Sequence, residues 1–340
     1  MVQIYDTIIL GGGAAGLRAA IYASRYLMKT LIIMGREPGG ETATAWTIEN
    51  YPGVKKIDGF ELIQTMIEQA KATGADMVYE NAVNAAGEDH CFTVNTDKNG
   101  YQAKTLILAF GSQRRHLGLP NEKQLIGKGL SYCSTCDVPL YKDKEILIIG
   151  GGDSSVKGAI FGAEYCSKVY LMTHSDKLTG EPINLAALKK LDKKEEVIYK
   201  KSATELLVKK GKLAGVKLAS KYKGKFVLSV SGVLIEIGFE PRQDLPKMLN
   251  LSLDRQGYIA VDNFMKTNID GIYACGDGTN AFGDFKQVVT AVAGGAMAAT
   301  SAYHDLGIHS AGACRIHALP LALPARLQLA VRPAAKSGLL

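Results

Sequence analysis

The sequence predicts an α/β protein containing two dinucleotide-binding units, and three observations carry that prediction. The apolar run Tyr5 to Leu10 leads directly into Gly11-Gly-Gly-Ala-Ala-Gly16, followed by a helix-forming stretch and a second apolar run, Thr30 to Met34. The same order of strand, glycine turn, helix and strand returns at Lys144–Ile149, Gly150–Ser155, Val156–Tyr165 and Val169–Met172. A third apolar run, Gly271 to Cys275, ends in Gly276-Asp277. In such a βαβ unit Gly11 permits the tight turn, Gly13 lets backbone approach a pyrophosphate, and Gly16 lets helix and strand pack closely. The unpaired amides at Ala14 and Ala15 then open the helix toward a phosphate. Two units about one domain apart suit one flavin and one nicotinamide.

Between the two units the periodicity is mixed. After Met34 comes a turn-rich loop, Gly35 to Glu41, and then Ile48 to Gly53. Apolar residues at Leu62, Ile63, Met66, Ile67 and Ala70 predict an amphipathic helix over Phe60–Ala72. Strands are expected near Met77–Tyr79, Cys91–Thr96 and Tyr101–Phe110, the last ending in Ala109-Phe-Gly111-Ser. Phe226 to Phe239 reads as two strands, and Glu240-Pro-Arg-Gln as a crossing back toward the first unit. A helix rich in alanine and glycine is expected from Lys286 to Leu306, suited to close approach to a cofactor. Past Gly307 the composition changes sharply, and residues 310–340 read as a non-native or disordered tail.

Just ahead of the second glycine turn lies Cys133-Ser-Thr-Cys136-Asp137. Two cysteines at this spacing can close a small, easily reduced disulfide, and the adjacent acid can supply a proton when thiolates leave and return. Half a zinc site or a structural thiol pair fits the spacing too. Zinc needs two further ligands, however, and Cys91, Cys166, Cys275 and Cys314 are scattered singly, so no metal site is expected.

Of 340 residues 47% are hydrophobic and 21% charged, an ordinary globular mixture. No apolar run reaches the length of a membrane span, and six cysteines without framework spacing suggest a reducing, cytoplasmic setting. The net charge is +7, of which the acid-free tail supplies four through Arg315, Arg326, Arg332 and Lys336. Lysine pairs at 189–190, 193–194, 200–201 and 209–210 fit solvated faces better than nucleic-acid binding, and an acidic protein partner is a further option.

Taken together and in order, Gly11–Gly16, Gly39-Gly40, Glu49-Asn-Tyr-Pro-Gly53, Cys133–Asp137, Gly150–Ser155, Gly276-Asp277 and Gln287 resemble the low-molecular-weight thioredoxin reductases. The resemblance covers roughly residues 3–307. It implies two Rossmann-like domains, the second inserted in the first, and a homodimer. The FAD domain would comprise 1–114 and 242–309, and the inserted dithiol domain 115–241. Gly11, Gly13, Ala14, Ala15 and Gly16 would hold the FAD pyrophosphate. Arg36, Glu37, Gly40, Glu41 and Asn50 would line the adenosine and flavin path, with Gly111 beside it. Asp277 would meet the ribityl or phosphate region, and Lys286, Gln287 and Val288 the flavin ring. Cys136 would take electrons from the flavin, Cys133 would attack the disulfide of thioredoxin, and Asp137 would donate the proton. Serving both partners implies rotation of the inserted domain, with hinges near Arg114–Leu117 and Glu240–Asp244.

Several positions depart from the family pattern. Glu41 stands where glutamine is usual, Lys286 for arginine and Val138 for glycine. After Met172 the family's arginine pattern for the NADPH 2′-phosphate is missing: His174, Ser175 and Thr179 replace the arginines, leaving Lys177. This predicts that NADPH is a doubtful cofactor, that reduced ferredoxin is the favoured donor, as in a ferredoxin-dependent branch of the family, and that NADH ranks third. A ferredoxin–NADP⁺ oxidoreductase, which lacks the dithiol, and a non-catalytic flavin redox sensor are the competing readings.

Overall fold

The computed structural model describes residues 3–191 and 195–308; the tail expected at 310–340 and Lys193–Lys194 lie outside them. The first unit runs β1 (Ile4–Leu10), α1 (Ala14–Arg25), β2 (Thr30–Ile33), α2 (Gly40–Ala43), α3 (Gly59–Ala72) and β3 (Asp76–Val78). An antiparallel excursion follows through β4 (Ala82–Glu88), β5 (Cys91–Thr96) and β6 (Gly100–Leu108). Then come β7 (Ser112–Arg114), α4 (Glu122–Leu125), β8 (Leu130–Ser131) and α5 (Ser134–Asp137). The second unit is β9 (Glu145–Ile149), α6 (Asp153–Tyr165), β10 (Lys168–Met172), α7 (Pro182–Leu188) and β11 (Glu195–Ile198). It continues with β12 (Ala203–Lys209), β13 (Lys212–Tyr222), β14 (Lys225–Leu228) and β15 (Gly232–Ile235). The chain returns through β16 (Phe239–Pro241) and closes with α8 (Asp244–Met248), β17 (Ile272–Ala274) and α9 (Val288–Ile308).

Both ends of the chain build the first sheet, ordered β3-β2-β1-β6-β5-β4 with β17 beside β6, so the intervening unit is an insertion. Its parallel strands are buried on both faces, which is why they read as unbroken apolar runs. Ile9, Ile32, Ile107 and Tyr273 pack on one face beneath α1, α3 and α9, and Ile8, Leu31, Leu106 and Ala274 pack on the other. The second sheet, β11-β10-β9-β15-β8, is wholly parallel. Ile146, Ile148 and Leu171 meet α6 on one side, while Leu147, Ile149 and Met172 meet the β12-β13-β14 meander on the other.

A two-stranded antiparallel ladder of β7 and β16 joins the two domains, pairing Arg114 with Phe239 and Ser112 with Pro241. The chain does cross back at Glu240, and it does so through one strand of a paired ladder. Strand order reverses between β1 and β6 and again between β9 and β15, and at such switch points the strand ends form ligand crevices. Both glycine turns emerge there.

Candidate functional site

At the first switch point the glycines are fixed by space as well as conformation. Gly11 has φ +124°, and a Cβ on it would lie 2.4 Å from the Ala109 carbonyl oxygen. A Cβ on Gly16 would lie 1.9 Å from the Gly11 oxygen. Gly13 differs: it caps α1 with no side-chain hydrogen bond, and a Cβ there would meet nothing nearer than 3.8 Å. The start of α1 thus has open space beside Gly13, the arrangement an anionic pyrophosphate fits. Two further turns converge on them. Gly39 donates its N–H to the Gly12 carbonyl at 2.9 Å, leading into Gly40, and a Cβ on Gly276 would touch Ala15 at 2.9 Å. Gly111, at φ +62°, presents its carbonyl to Gly278.

The flanking side chains gather around this crevice. Asn50 donates from Nδ2 to Gln287 Oε1 at 3.0 Å, uniting two expected site residues 237 positions apart. Lys286 donates to the Thr279 carbonyl at 2.5 Å and lies 4.3 Å from the centre of the Tyr258 ring. Burial pushes the Asp277 carboxyl upward; Lys286 opposes this and Glu41 reinforces it. Burial also lowers the Lys286 ammonium, against the pull of Asp277. Val288 opens α9, which follows directly from Lys286 and Gln287. At the far end of β2, Arg36 is held by Asp97, with Nε at 3.0 Å, and donates its backbone N–H to Asn81. Glu37 is exposed. The donor set and the open cradle fit FAD.

Cys133 and Cys136 are joined in a disulfide, with Cα atoms 5.3 Å apart. Cys133 caps α5, its sulfur accepting the Cys136 N–H at 3.2 Å. Asp137 lies at the end of this turn, its N–H donating to the Cys133 carbonyl at 3.2 Å. α6 backs the turn: a Cβ on Gly158 would meet Ser134 Oγ at 2.7 Å. On the other side the Thr135 hydroxyl donates to the Thr44 carbonyl at 2.9 Å, so the dithiol turn rests on the first domain. Trp46 also packs across this interface on Phe161, ring centres 4.5 Å apart. Just before the turn, the Tyr132 hydroxyl donates to buried Glu122 and lies 2.6 Å from His116 Nδ1. Among the described residues no cluster of three or more His, Cys, Asp or Glu gathers for a metal.

Three ionic residues bridge the domains, and of these sequence reasoning missed only Glu236. Arg114 donates to Glu41 at 3.0 Å and to Glu236 at 3.3 Å, and Glu236 accepts both the N–H and the hydroxyl of Ser134. Arg114 fell inside the expected hinge, and Glu41 was noticed as a departure. Nothing local to Glu236 advertised its role, because the contact depends on how the two domains meet.

The second glycine turn repeats the first. Gly150 is held against the Glu236 carbonyl, where a Cβ would lie at 2.1 Å. Gly152 caps α6 without a side-chain bond and has nothing within 4 Å of an added Cβ. The loop after β10 folds back on this turn, Thr179 donating its N–H to the Gly151 carbonyl at 2.8 Å. Lys200, just past the end of β11, donates its backbone N–H to the Ser175 carbonyl at 3.1 Å.

The profile of the family described as Pyridine nucleotide-disulphide oxidoreductase matches residues 5–295. A thioredoxin reductase of Bacillus subtilis is 35% identical over 303 residues, covering 89% of this chain and 95% of its own. That of Peptoclostridium acidaminophilum is 38% identical over 313 residues, covering 89% and 97%. The solved thioredoxin reductase of Lactococcus lactis superposes with a TM-score of 0.84 at 33% identity, covering 89% of this chain and 99% of its own. That of T. acidophilum gives 0.82 at 35%, covering 89% and 98%.

These matches correct one expectation, that NADPH is a doubtful cofactor. A family named for pyridine nucleotides matches the chain through both glycine turns, and its relatives are thioredoxin reductases. The error lay in letting three arginine positions outweigh Lys177 and the intact glycine turn. The uncapped α6 terminus is intact, and the Ser175 loop is tied to a neighbouring strand end that brings lysine with it. The chain belongs to the pyridine nucleotide-disulphide oxidoreductases, and within them to the low-molecular-weight, FAD-dependent thioredoxin reductases.

Proposed function

We propose that this chain is a pyridine nucleotide-dependent thioredoxin reductase, with NADPH as its donor and the disulfide of thioredoxin as its substrate. The observation that carries the reading is the Cys133–Cys136 disulfide, held on a turn that lies against the first domain and just ahead of the second glycine turn. FAD, bound by Gly11–Gly16, supplies the two-electron relay between a nucleotide hydride and a disulfide. The rest is done by side chains. Once the dithiol is reduced, the Cys133 thiolate attacks one sulfur of the substrate disulfide and expels the other as a thiolate, which takes a proton from Asp137. The Cys136 thiol then returns a proton to Asp137 and attacks the Cys133 sulfur, expelling the second substrate sulfur as a thiolate that is protonated from solvent and restoring the Cys133–Cys136 disulfide. Two electrons leave with the substrate, so each turnover consumes one nucleotide.

The α6 N-terminus at Gly152 would hold the nucleotide pyrophosphate. We set the domain limits at 114/115 and 241/242, a reading that the β7–β16 ladder supports, and we place the enzyme in a reducing, cytoplasmic compartment as a homodimer. The test is anaerobic. Oxidised protein is mixed with NADPH, NADH or reduced ferredoxin, and flavin bleaching and thioredoxin reduction are followed. NADPH at micromolar concentration is expected to bleach the flavin rapidly and support turnover. Failure of both nucleotides to do so would overturn the reading, and bleaching without thioredoxin reduction would favour a flavin redox sensor.

A further inference from the structure

A continuous chain of charge-assisted hydrogen bonds runs from the first domain to the dithiol. Glu41 Oε2 accepts from Arg114 Nη2 at 3.0 Å, and Arg114 Nη1 reaches Glu236 Oε2 at 3.3 Å. Glu236 Oε1 accepts the Ser134 hydroxyl at 2.8 Å and the Ser134 N–H at 3.2 Å. Ser134 lies between the two redox cysteines. Glu41 lies in the first domain and Glu236 in the second, while Arg114 ends β7 in the ladder between them. The middle of this chain is fixed: the Glu236 backbone N–H donates to Ile149 at 2.8 Å, and the Arg114 guanidinium stacks 5.4 Å from the Phe239 ring. Exposure rises along it, with the side chain of Glu236 8% exposed, Arg114 21% and Glu41 36%.

We propose that Arg114 is a positioning residue that docks the dithiol turn onto the first domain through Glu41 and Glu236, and that the Arg114–Glu41 end is released when the second domain turns. A buried carboxylate with a fixed partner is costly to strip, whereas a half-exposed ion pair is weak and screened by salt. The break therefore falls at Glu41, the most exposed carboxylate of the chain of contacts. The turning itself rests on the reductase reading, but the docking does not.

Trp46 is the single tryptophan of the chain, and its contact with Phe161 spans the same interface. Its fluorescence thus reports docking without donor or substrate. In FAD-loaded protein, Glu41→Gln is expected to shift the docked-to-undocked ratio about two- to fivefold, read as stronger acrylamide quenching and a red shift of Trp46 emission. Arg114→Met, which strands Glu236, is expected to shift it tenfold or more, with Arg114→Lys between the two. Salt at 1 M should move the parent toward the E41Q value and leave E41Q unmoved. In Arg114→Lys and Arg114→Met, stopped-flow traces should split: passage of electrons from reduced flavin to the disulfide slows, and flavin reduction by nucleotide does not. Trp46 quenching unchanged in both E41Q and R114K would overturn the proposal, as would an equal slowing of both half-reactions. If no nucleotide reduces the flavin, the reductase reading fails, and the quenching series still decides the latch.

Discussion

At the residue scale the dithiol can be separated into its two sulfurs. Cys136→Ser is expected to stop electron flow from flavin to disulfide while Cys133 still traps thioredoxin as a mixed disulfide, visible on a non-reducing gel; Cys133→Ser should lose the trap. Full reduction of thioredoxin by both variants would remove the assignment. Neighbouring Glu122 gives a pH prediction. Burial raises its carboxyl, but the Tyr132 hydroxyl and the N–H groups of Leu117 and Leu119 outweigh burial and hold it below its ordinary value. A depressed folded value means that this stability is present above the unfolded value, near 4.3, and lost as pH falls through the folded one. Glu122→Gln should cost about 1 kcal/mol at pH 7 and progressively less below about pH 4, measured by urea unfolding at both. The cysteine pair and the glycine turns could be singled out because their spacing is itself a pattern, whereas Gln287 was named only through the family resemblance. Glu236 and Thr44 were not, since each acts through a partner that only the folded chain supplies.

At the element scale the two βαβ units were readable because parallel strands buried on both faces leave continuous apolar runs. α3 was expected over Phe60–Ala72 and forms over Gly59–Ala72, its start fixed by Asp58, whose carboxylate accepts the N–H groups of Phe60 and Glu61. β7 and β8 were missed because three and two residues carry no period. The second domain's meander was only partly seen, since Ala203–Lys209 and Lys212–Tyr222 are rich in lysine and half exposed. The alanine and glycine of the last helix were read as allowing close approach to a cofactor, and they also let α9 cross α1. A Cβ on Gly295 would lie 2.1 Å from the Ala15 carbonyl oxygen, beside the first glycine turn. Gly295→Ala must push the two helices apart, at about 1–3 kcal/mol. Lower thermal stability and weaker FAD retention are expected together, read by melting and by flavin absorbance after gel filtration. Retention of both would mean that α9 shifts without disturbing the turn.

At the scale of the whole molecule, two dinucleotide crevices open at two switch points, and one dithiol turn sits between the domains. The insertion was legible from the return at Glu240 and through resemblance, but no local pattern tells that β17 pairs with β6. What distinguishes the crevices is that turns from both ends of the chain meet at the first, where they would hold FAD, while the second crevice rests on one glycine turn and its helix. The second should therefore be removable alone. Gly152 has ordinary extended geometry, φ −89° and ψ −174°, and open space around an added Cβ, so Gly152→Asp fits without strain. Aspartate is also a favourable N-cap, its carboxylate accepting the amides that otherwise await a phosphate. The variant should thus be at least as stable as the parent while its nucleotide site is occupied by its own side chain and repels a pyrophosphate. Flavin bleaching by NADPH should fall about 100-fold or more, a loss of about 2.7 kcal/mol or more in binding. FAD content should stay at that of the parent, and flavin reduced by dithionite should still pass electrons to Cys133–Cys136 and on to thioredoxin. Unchanged bleaching by NADPH would show that nucleotide hydride reaches the flavin by a route that does not involve the α6 terminus.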